Sequence, residues 1–184
     1  MKKIVLTFGL LSGAISAVLM MGTVRFIDQI GFDRGVIVGY TTIVMGFLLV
    51  FFGIRSYREN VGNGYISFAR GFQVGILIAL ISSIIYVLTW EVVFHNWLYD
   101  FPEKYTAYVI ESARASGASA EEIARQTEEM NSLWASYRNN FFIRAAYTFL
   151  EPFPVGLLIT VISAFILKRR MREGDEDPAK QVPA

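Results

Sequence analysis

Four residues of this chain have types and spacings that suit chemistry: Glu91, His95, Arg144 and Glu151. Glu91 and His95 stand four residues apart, which puts both on one face of a helix. Glu151 interrupts an otherwise apolar run and is followed at once by Pro152-Phe153-Pro154, with Arg144 about two turns before it. A carboxylate at membrane depth is costly unless it is paired, protonated or hydrated, so it stands as a functional candidate by default. The two prolines remove amide donors and loosen the helix, freeing carbonyl oxygens to bind something. Three uses are open to this set. Glu151 pairs with Arg144, or with a histidine or tyrosine of the third apolar run, and so pins two helices. Alternatively Glu151, Glu91 and His95 carry protons or cations. The third use is a hydrolytic metal site of two glutamates and one histidine, which no HExxH or comparable spacing supports.

Composition narrows the rest. The chain has no cysteine, which removes disulfides, thiolate metal sites and thiol nucleophiles together, and its one histidine argues against a classical zinc site. With 17 basic against 16 acidic residues and no clustered basic face, nothing suggests a nucleic-acid partner. No nucleotide motif stands out and no cofactor is implied. At 184 residues, 54% of them hydrophobic, there is room for one membrane domain and one modest extramembrane element.

The elements that must position the four residues are apolar runs. Ile4 to Val24, Gly35 to Ile54, Gly71 to Trp90 and Ala145 to Leu167 each approach the roughly 20 helical residues that cross a hydrocarbon core of about 30 Å. The expected fold is therefore all-α, a single membrane domain over 1–172 with spans near 4–24, 35–54, 71–95 and 142–167. Met1-Lys2-Lys3 ahead of an apolar stretch resembles a secretory signal, but the run continues to Val24, longer than the usual signal core, and a retained first helix is expected. Running the third helix one way and the fourth the other brings Glu91, His95 and Glu151 to a similar level in the outer leaflet.

Basic residues stay on the cytoplasmic side. Lys2, Lys3, Arg55, Arg58, Arg70, Lys168, Arg169, Arg170 and Arg172 fall on one side if both termini are cytoplasmic, whereas the first loop has only Arg25 and Arg34, offset by Asp28 and Asp33. Gly62-Asn63-Gly64 marks a tight turn in the second connection, with Tyr57, Tyr65 and Phe68 at the interface. The third connection predicts an extracytoplasmic helical hairpin over 102–138. Pro102 suits a first turn, Gly117 a stop, and Ser119 with Glu122 a capping box. Ile123, Thr127, Met130, Trp134 and Tyr137 form one stripe, which packs on the first hairpin helix or the membrane surface, or else docks another protein. Residues 173–184 read as a mobile cytoplasmic tail.

Small residues recur every four positions at Gly9, Gly13 and Ala17 and at Gly71, Gly75, Ala79 and Ser83. Such ribbons mark helix contacts, within the bundle or between copies.

Several segments together carry a resemblance: Gly53-Ile54-Arg55-Ser56-Tyr57-Arg58, Gly64-Tyr65-Ile66-Ser67-Phe68, Gly71-Phe72-Gln73-Val74-Gly75, Phe101-Pro102-Glu103-Lys104-Tyr105 and Ile166-Leu167-Lys168-Arg169-Arg170. From about Leu6 to Arg170 the chain resembles the bacterial domain-of-unknown-function family 4199. The resemblance implies a multi-pass protein of the bacterial inner (cytoplasmic) membrane and supplies no catalytic residues. The reading is an integral membrane protein without enzymatic activity, in contact with the lipid bilayer and acting through protein partners or as a homo-oligomer. The alternative is a small transporter or proton- or cation-handling protein that uses the outer-leaflet carboxylates.

Overall fold

The structure, a computed structural model, describes residues 1–169, the side chain of Asp28 excepted. Arg170, Arg172 and the tail expected over 173–184 lie outside the described residues. Eight helices follow one another: α1 Lys2–Arg25, α2 Ile27–Ile30, α3 Phe32–Asn60, α4 Phe68–Asn96, α5 Phe101–Ala115, α6 Ala120–Asn139, α7 Phe141–Leu150 and α8 Pro152–Leu167. The α1, α3 and α4 helices, together with the consecutive α7 and α8, are long and apolar enough to cross a membrane.

Packing differs from that of a water-soluble bundle in what accompanies the apolar core of Phe47, Val50, Ile54, Val74 and Ile78. Small and hydroxylated residues lie inside, among them Ser12, Ser16, Ser82, Ser83, Thr160 and Ser163, while Leu10, Val18, Ile37, Leu88, Leu158 and Phe165 are exposed. Only 33–39% of each span's most apolar window is buried, so the outer surface is apolar too. Lipid is the solvent that tolerates such a surface, and it gives helices no hydrophobic reason to associate, which leaves close contact to do it.

The small residues supply that contact. A Cβ built at Gly13 would fall 2.4 Å from Ile85 Cδ1, and one at Gly9 would fall 2.9 Å from Ile81 Cβ, so α1 lies directly on α4. On its other side α4 meets α8, where Gly71 faces Ala164 and Gly75 faces Thr160. Ala79 and Ser83 are buried along the same helix, and Ala17 on α1 is half-buried. The first ribbon and the α4 ribbon therefore pack within the chain, against different neighbours. Ser12 Oγ donates to the Gly46 carbonyl at 2.8 Å and lies 3.0 Å from Ser82 Oγ, which ties α1, α3 and α4 at one level. Membrane hydrogen bonds average about 0.6 kcal/mol, so this knot sets register more than it supplies stability.

The spans run past the apolar stretches. The α3 helix continues through Arg55–Asn60 because its polar last turns satisfy one another, Arg55 Nε lying 2.8 Å from Glu59 Oε1. The 61–67 turn follows, with Asn63 and Gly64 at positive φ (47° and 86°) as the glycine-asparagine signal predicts. Ile66 and Arg169 exchange backbone hydrogen bonds, so this turn and the end of α8 share one end of the bundle, where Lys2, Lys3, Arg55, Arg58, Arg70 and Lys168 also gather. The fourth span departs from a single helix. It breaks at Glu151, since Pro152 and Pro154 cannot donate to the carbonyls of Thr148 and Leu150.

At the other end the chain forms α5 and α6, which pack on each other. Pro102 occupies the first turn of α5, and Gly117 closes the turn after it at φ 81°. Ser119 Oγ accepts from Glu122 N at 3.1 Å, but only half of the expected capping box forms: the Glu122 carboxylate turns to Arg125 and Gln126 instead. The stripe on α6 faces α5, with Trp134 edge-on to Phe101 and Tyr105. The stretch that the sequence reads as a short loop carrying Arg25, Asp28, Asp33 and Arg34 instead holds the short α2 helix, and α3 already starts at Phe32.

Two glycine substitutions with opposite signs test this packing. A Cβ at Gly156 would lie 2.8 Å from the Phe47 ring and 3.1 Å from Ala79 Cβ, so Gly156→Val should destabilise by about 1–3 kcal/mol. At Gly39 nothing lies within 4 Å, and Gly39→Ala should stabilise by about 0.5–1 kcal/mol through reduced chain entropy. Thermal unfolding in detergent reads both; an unshifted Gly156→Val transition would refute the close α3–α4–α8 contact.

Candidate functional site

Glu91, His95 and Arg144 come together at the end of the bundle beneath α5 and α6. The chain turns sharply between α6 and α7 at Asn140, which is extended (φ −128°, ψ 109°), and its side-chain oxygen accepts from the amides of Phe142 and Ile143. Such a cap satisfies amides that the first helical turn leaves unpaired. Arg144 then stands one turn into α7, under the end of α6 and beside α4.

From there Arg144 makes a two-pronged pair with Glu91. Its Nε and Nη2 each lie 2.7 Å from a different Glu91 oxygen, and its Nη1 donates to the carbonyls of Tyr137 and Arg138, the last turn of α6. The Arg144 side chain is 5% exposed and that of Glu91 16%, so this is a buried pair and not one of the weak surface kind. Its guanidinium also lies over the rings of Phe94 and Tyr137. One side chain thus fastens α4, α6 and α7 together.

His95 stands at the rim. Its Nδ1 is 2.8 Å from the Glu91 backbone carbonyl, a contact that requires the proton on Nδ1, and 3.9 Å from the nearer Glu91 carboxylate oxygen. Glu151 belongs to a separate, deeper layer, about 15 Å along the helix from Phe141. Tyr86, buried on α4, donates to Glu151 Oε2 at 3.1 Å. Of the partners the sequence offers Glu151, the tyrosine of the third span is the one it meets. Arg144 does not pair with it, because Glu91 and the α6 carbonyls hold the guanidinium. Glu151 itself is exposed on the bundle surface.

Glu91, His95, Arg144 and Glu151 therefore form two sites and not one. Among the described residues no three His, Asp or Glu side chains converge as metal ligands. Between the layers runs a hydrogen-bonded line that sequence reading missed: Trp90 Nε1 donates to Tyr137 Oη at 2.6 Å, and Tyr137 Oη lies 3.4 Å from Thr148 Oγ1. Burial pushes the Tyr137 phenol above its ordinary value, while its bonds to Thr148 and Trp90 draw it partly back. Tyr137 had been visible only as the end of an apolar stripe; the recurrence of Trp90, Phe94 and Tyr137 around two charges was the available signal.

Above the pair, Arg138 Nη2 reaches the Tyr99 carbonyl at 2.8 Å and the Glu103 carboxylate at 2.5 Å, so α6 is tied to α5 and to the connection that leads into it from α4. The Arg138 hydrogen bond holds the Glu103 carboxyl below the usual carboxylate range. Tyr108 of α5 donates to Asp33 of α3, and that carboxylate pushes the Tyr108 phenol up. Ionic and aromatic contacts thus hold α5 and α6 onto the spans.

Removing one member of the buried pair should be worse than removing both. Glu91→Gln leaves the Arg144 charge uncompensated and should cost about 3–5 kcal/mol. Arg144→Met should cost at least as much, since it also strips the α6 carbonyls of donors. The combination of Glu91→Leu with Arg144→Met should recover part of the loss, read as a thermal transition above those of both single variants. Strict additivity of the two losses would show that the pair is not coupled.

Over residues 7–169 the chain matches the family described as "Protein of unknown function (DUF4199)". No curated protein and no solved structure matches it. The matched stretch takes in α1 from residue 7, the other three spans, both polar layers and the α5–α6 pair, and it shows that this chain is a member of the DUF4199 family of unknown function.

Proposed function

We propose that this integral membrane protein acts by contact with other membrane proteins or with further copies of itself, without enzymatic chemistry. The observation that carries the reading is an open groove of about 1130 Å³ along the α5–α6 pair. On α5 it is lined by Thr106, Ala107, Ile110 and Glu111, and on α6 by Asn131, Trp134 and Ala135. These positions recur at helical spacings on each helix, so two parallel stripes face one trough, the form that receives a third helix. Glu91, Arg144 and Arg138, by contrast, are engaged in holding helices together.

The proposed setting is the bacterial inner membrane, with both termini cytoplasmic and α5–α6 an extracytoplasmic hairpin. The gathering of lysine and arginine at the 61–67 end supports that orientation. A cysteine placed at Gly117 should react with a membrane-impermeant maleimide from outside the cell. Reaction only after the cytoplasm is opened would reverse the orientation.

A second reading, proton or cation handling, draws on one observation: Glu151 is exposed at a depth where lipid surrounds the bundle, with Tyr86 on only one of its oxygens. One pair of measurements separates the readings. If contact is the function, a photo-crosslinking residue at Ala107 or Ala135 gives discrete adducts in native membranes, one at Glu121 outside the groove gives none, and Glu151→Gln changes no flux. A pH-driven proton flux in liposomes that disappears in Glu151→Gln, together with no adducts from the groove, would replace the contact reading with the transport one.

A further inference from the structure

A second groove, of about 760 Å³, lies at the same end of the bundle, between α1, α4 and α5. The last turn of α1 with its exit, Met21 to Ile27, forms one wall; Asn96, Trp97 and Leu98 at the end of α4 form another, and Lys104 of α5 closes the top. Its volume falls in the range of about 300–1,000 Å³ usual for small-molecule sites. Its position is specific. Because α1 and α4 are spans that both end here, the groove straddles the boundary between hydrocarbon and water, and Trp97 is exposed beside it as interfacial indoles are.

The lining divides along that boundary. Toward the membrane it offers Met21, Gly22 and Val24; toward water it offers Arg25, Lys104 and Asn96. Two spans end here with their carbonyl ends, each equivalent to about half a negative charge, which alone would repel an anion. Arg25 in the last turn of α1 reverses that sign locally, while the Lys104 ammonium, 3.1 Å from Asp100 Oδ2, is already charge-paired. Asn96 Nδ2 donates one of its two hydrogens to the Val92 carbonyl at 2.7 Å, which holds the side chain in place while its Oδ1 can accept from a hydroxyl. Nothing lies within 4 Å of a Cβ built at Gly22, so the floor of the groove is open where a chain would descend.

We propose that this groove binds an anionic glycerophospholipid with a glycerol headgroup, of the phosphatidylglycerol kind. Its phosphate rests on Arg25, a headgroup hydroxyl donates to Asn96, and the upper part of one acyl chain lies along Met21, Gly22 and Val24. Arginine suits this role because its planar fork matches phosphate oxygens and stays charged at every physiological pH. The site is independent of the α5–α6 groove, and its occupancy does not depend on what that groove contacts.

The test uses the full-length protein in neutral detergent, titrated with phosphatidylglycerol in mixed micelles, with lipid retention read by native mass spectrometry. Arg25→Gln should weaken retention about tenfold or more, the loss expected for one charge-assisted hydrogen bond. Gly22→Leu, which fills open space, should weaken it similarly. Arg34→Gln, an exposed arginine outside the groove, should leave it unchanged. Helix content and melting temperature accompany each variant, and if Gly22→Leu does not fold, the exposed Arg25→Gln decides alone. Three results would overturn the proposal: equal retention by wild type and Arg25→Gln, equal retention of phosphatidylethanolamine, or displacement of the lipid by inorganic phosphate at matching concentration. The first would mean unspecific annular lipid, the second no reading of net charge, and the third a phosphate site that does not read the lipid.

Discussion

Lipid tails are as apolar as leucine, and that single constraint shapes this protein. Helices gain nothing by hiding leucine from such a solvent, so they associate only where backbones approach and polar groups find one another. The residues that decide the fold are consequently the small ones. Gly13 admits Ile85, Gly75 admits Thr160, and Gly156 admits the Phe47 ring. Each contact replaces lipid, which packs loosely and moves, by protein atoms held at van der Waals distance. The serine knot at Ser12, Gly46 and Ser82 then selects one register among the several that such smooth ribbons allow.

The constraint changes where water begins, and so does the chain. Above the level of Arg144 the contacts become ionic and aromatic: Arg138 with Tyr99 and Glu103, Tyr108 with Asp33, and a run of rings from Phe94 through Tyr137 to Trp134 and Phe101. Arg144 sits at the changeover. A buried pair often gains little net stability over apolar packing, because desolvation offsets most of its attraction. Its value here is geometric. The carbonyls that end α6 and the carboxylate of α4 are fixed to one planar guanidinium, which sets the angle at which α5 and α6 rest on the bundle.

These two regimes explain what was legible in the sequence. Spans were legible because twenty apolar residues have few alternatives, and the α5–α6 pair because Pro102, Gly117 and Ser119 are local signals whose partners lie within a few residues. The split of the polar cluster was not. Charge alone makes Arg144 as good a partner for Glu151 as for Glu91; the choice depends on the Asn140 turn, which aims Arg144 outward and across to α4 while Tyr86 already occupies the side of Glu151. Span ends were underestimated for a similar reason, since pairs such as Arg55 with Glu59 let a helix continue beyond the hydrocarbon.

Glu151 sits where these arguments pull in different directions. Its helix has lost two backbone hydrogen bonds to Pro152 and Pro154, so this is the least restrained point of the fourth span. It is held to α4 by one hydrogen bond from a neutral donor, whereas Arg144, ten or so ångströms nearer the end by helical rise, is held by four. A helix anchored firmly above a weak point and packed firmly below it bends at the weak point if it bends at all. The Tyr86 hydrogen bond therefore ties the fourth span to α4 at the point where its own backbone holds it least.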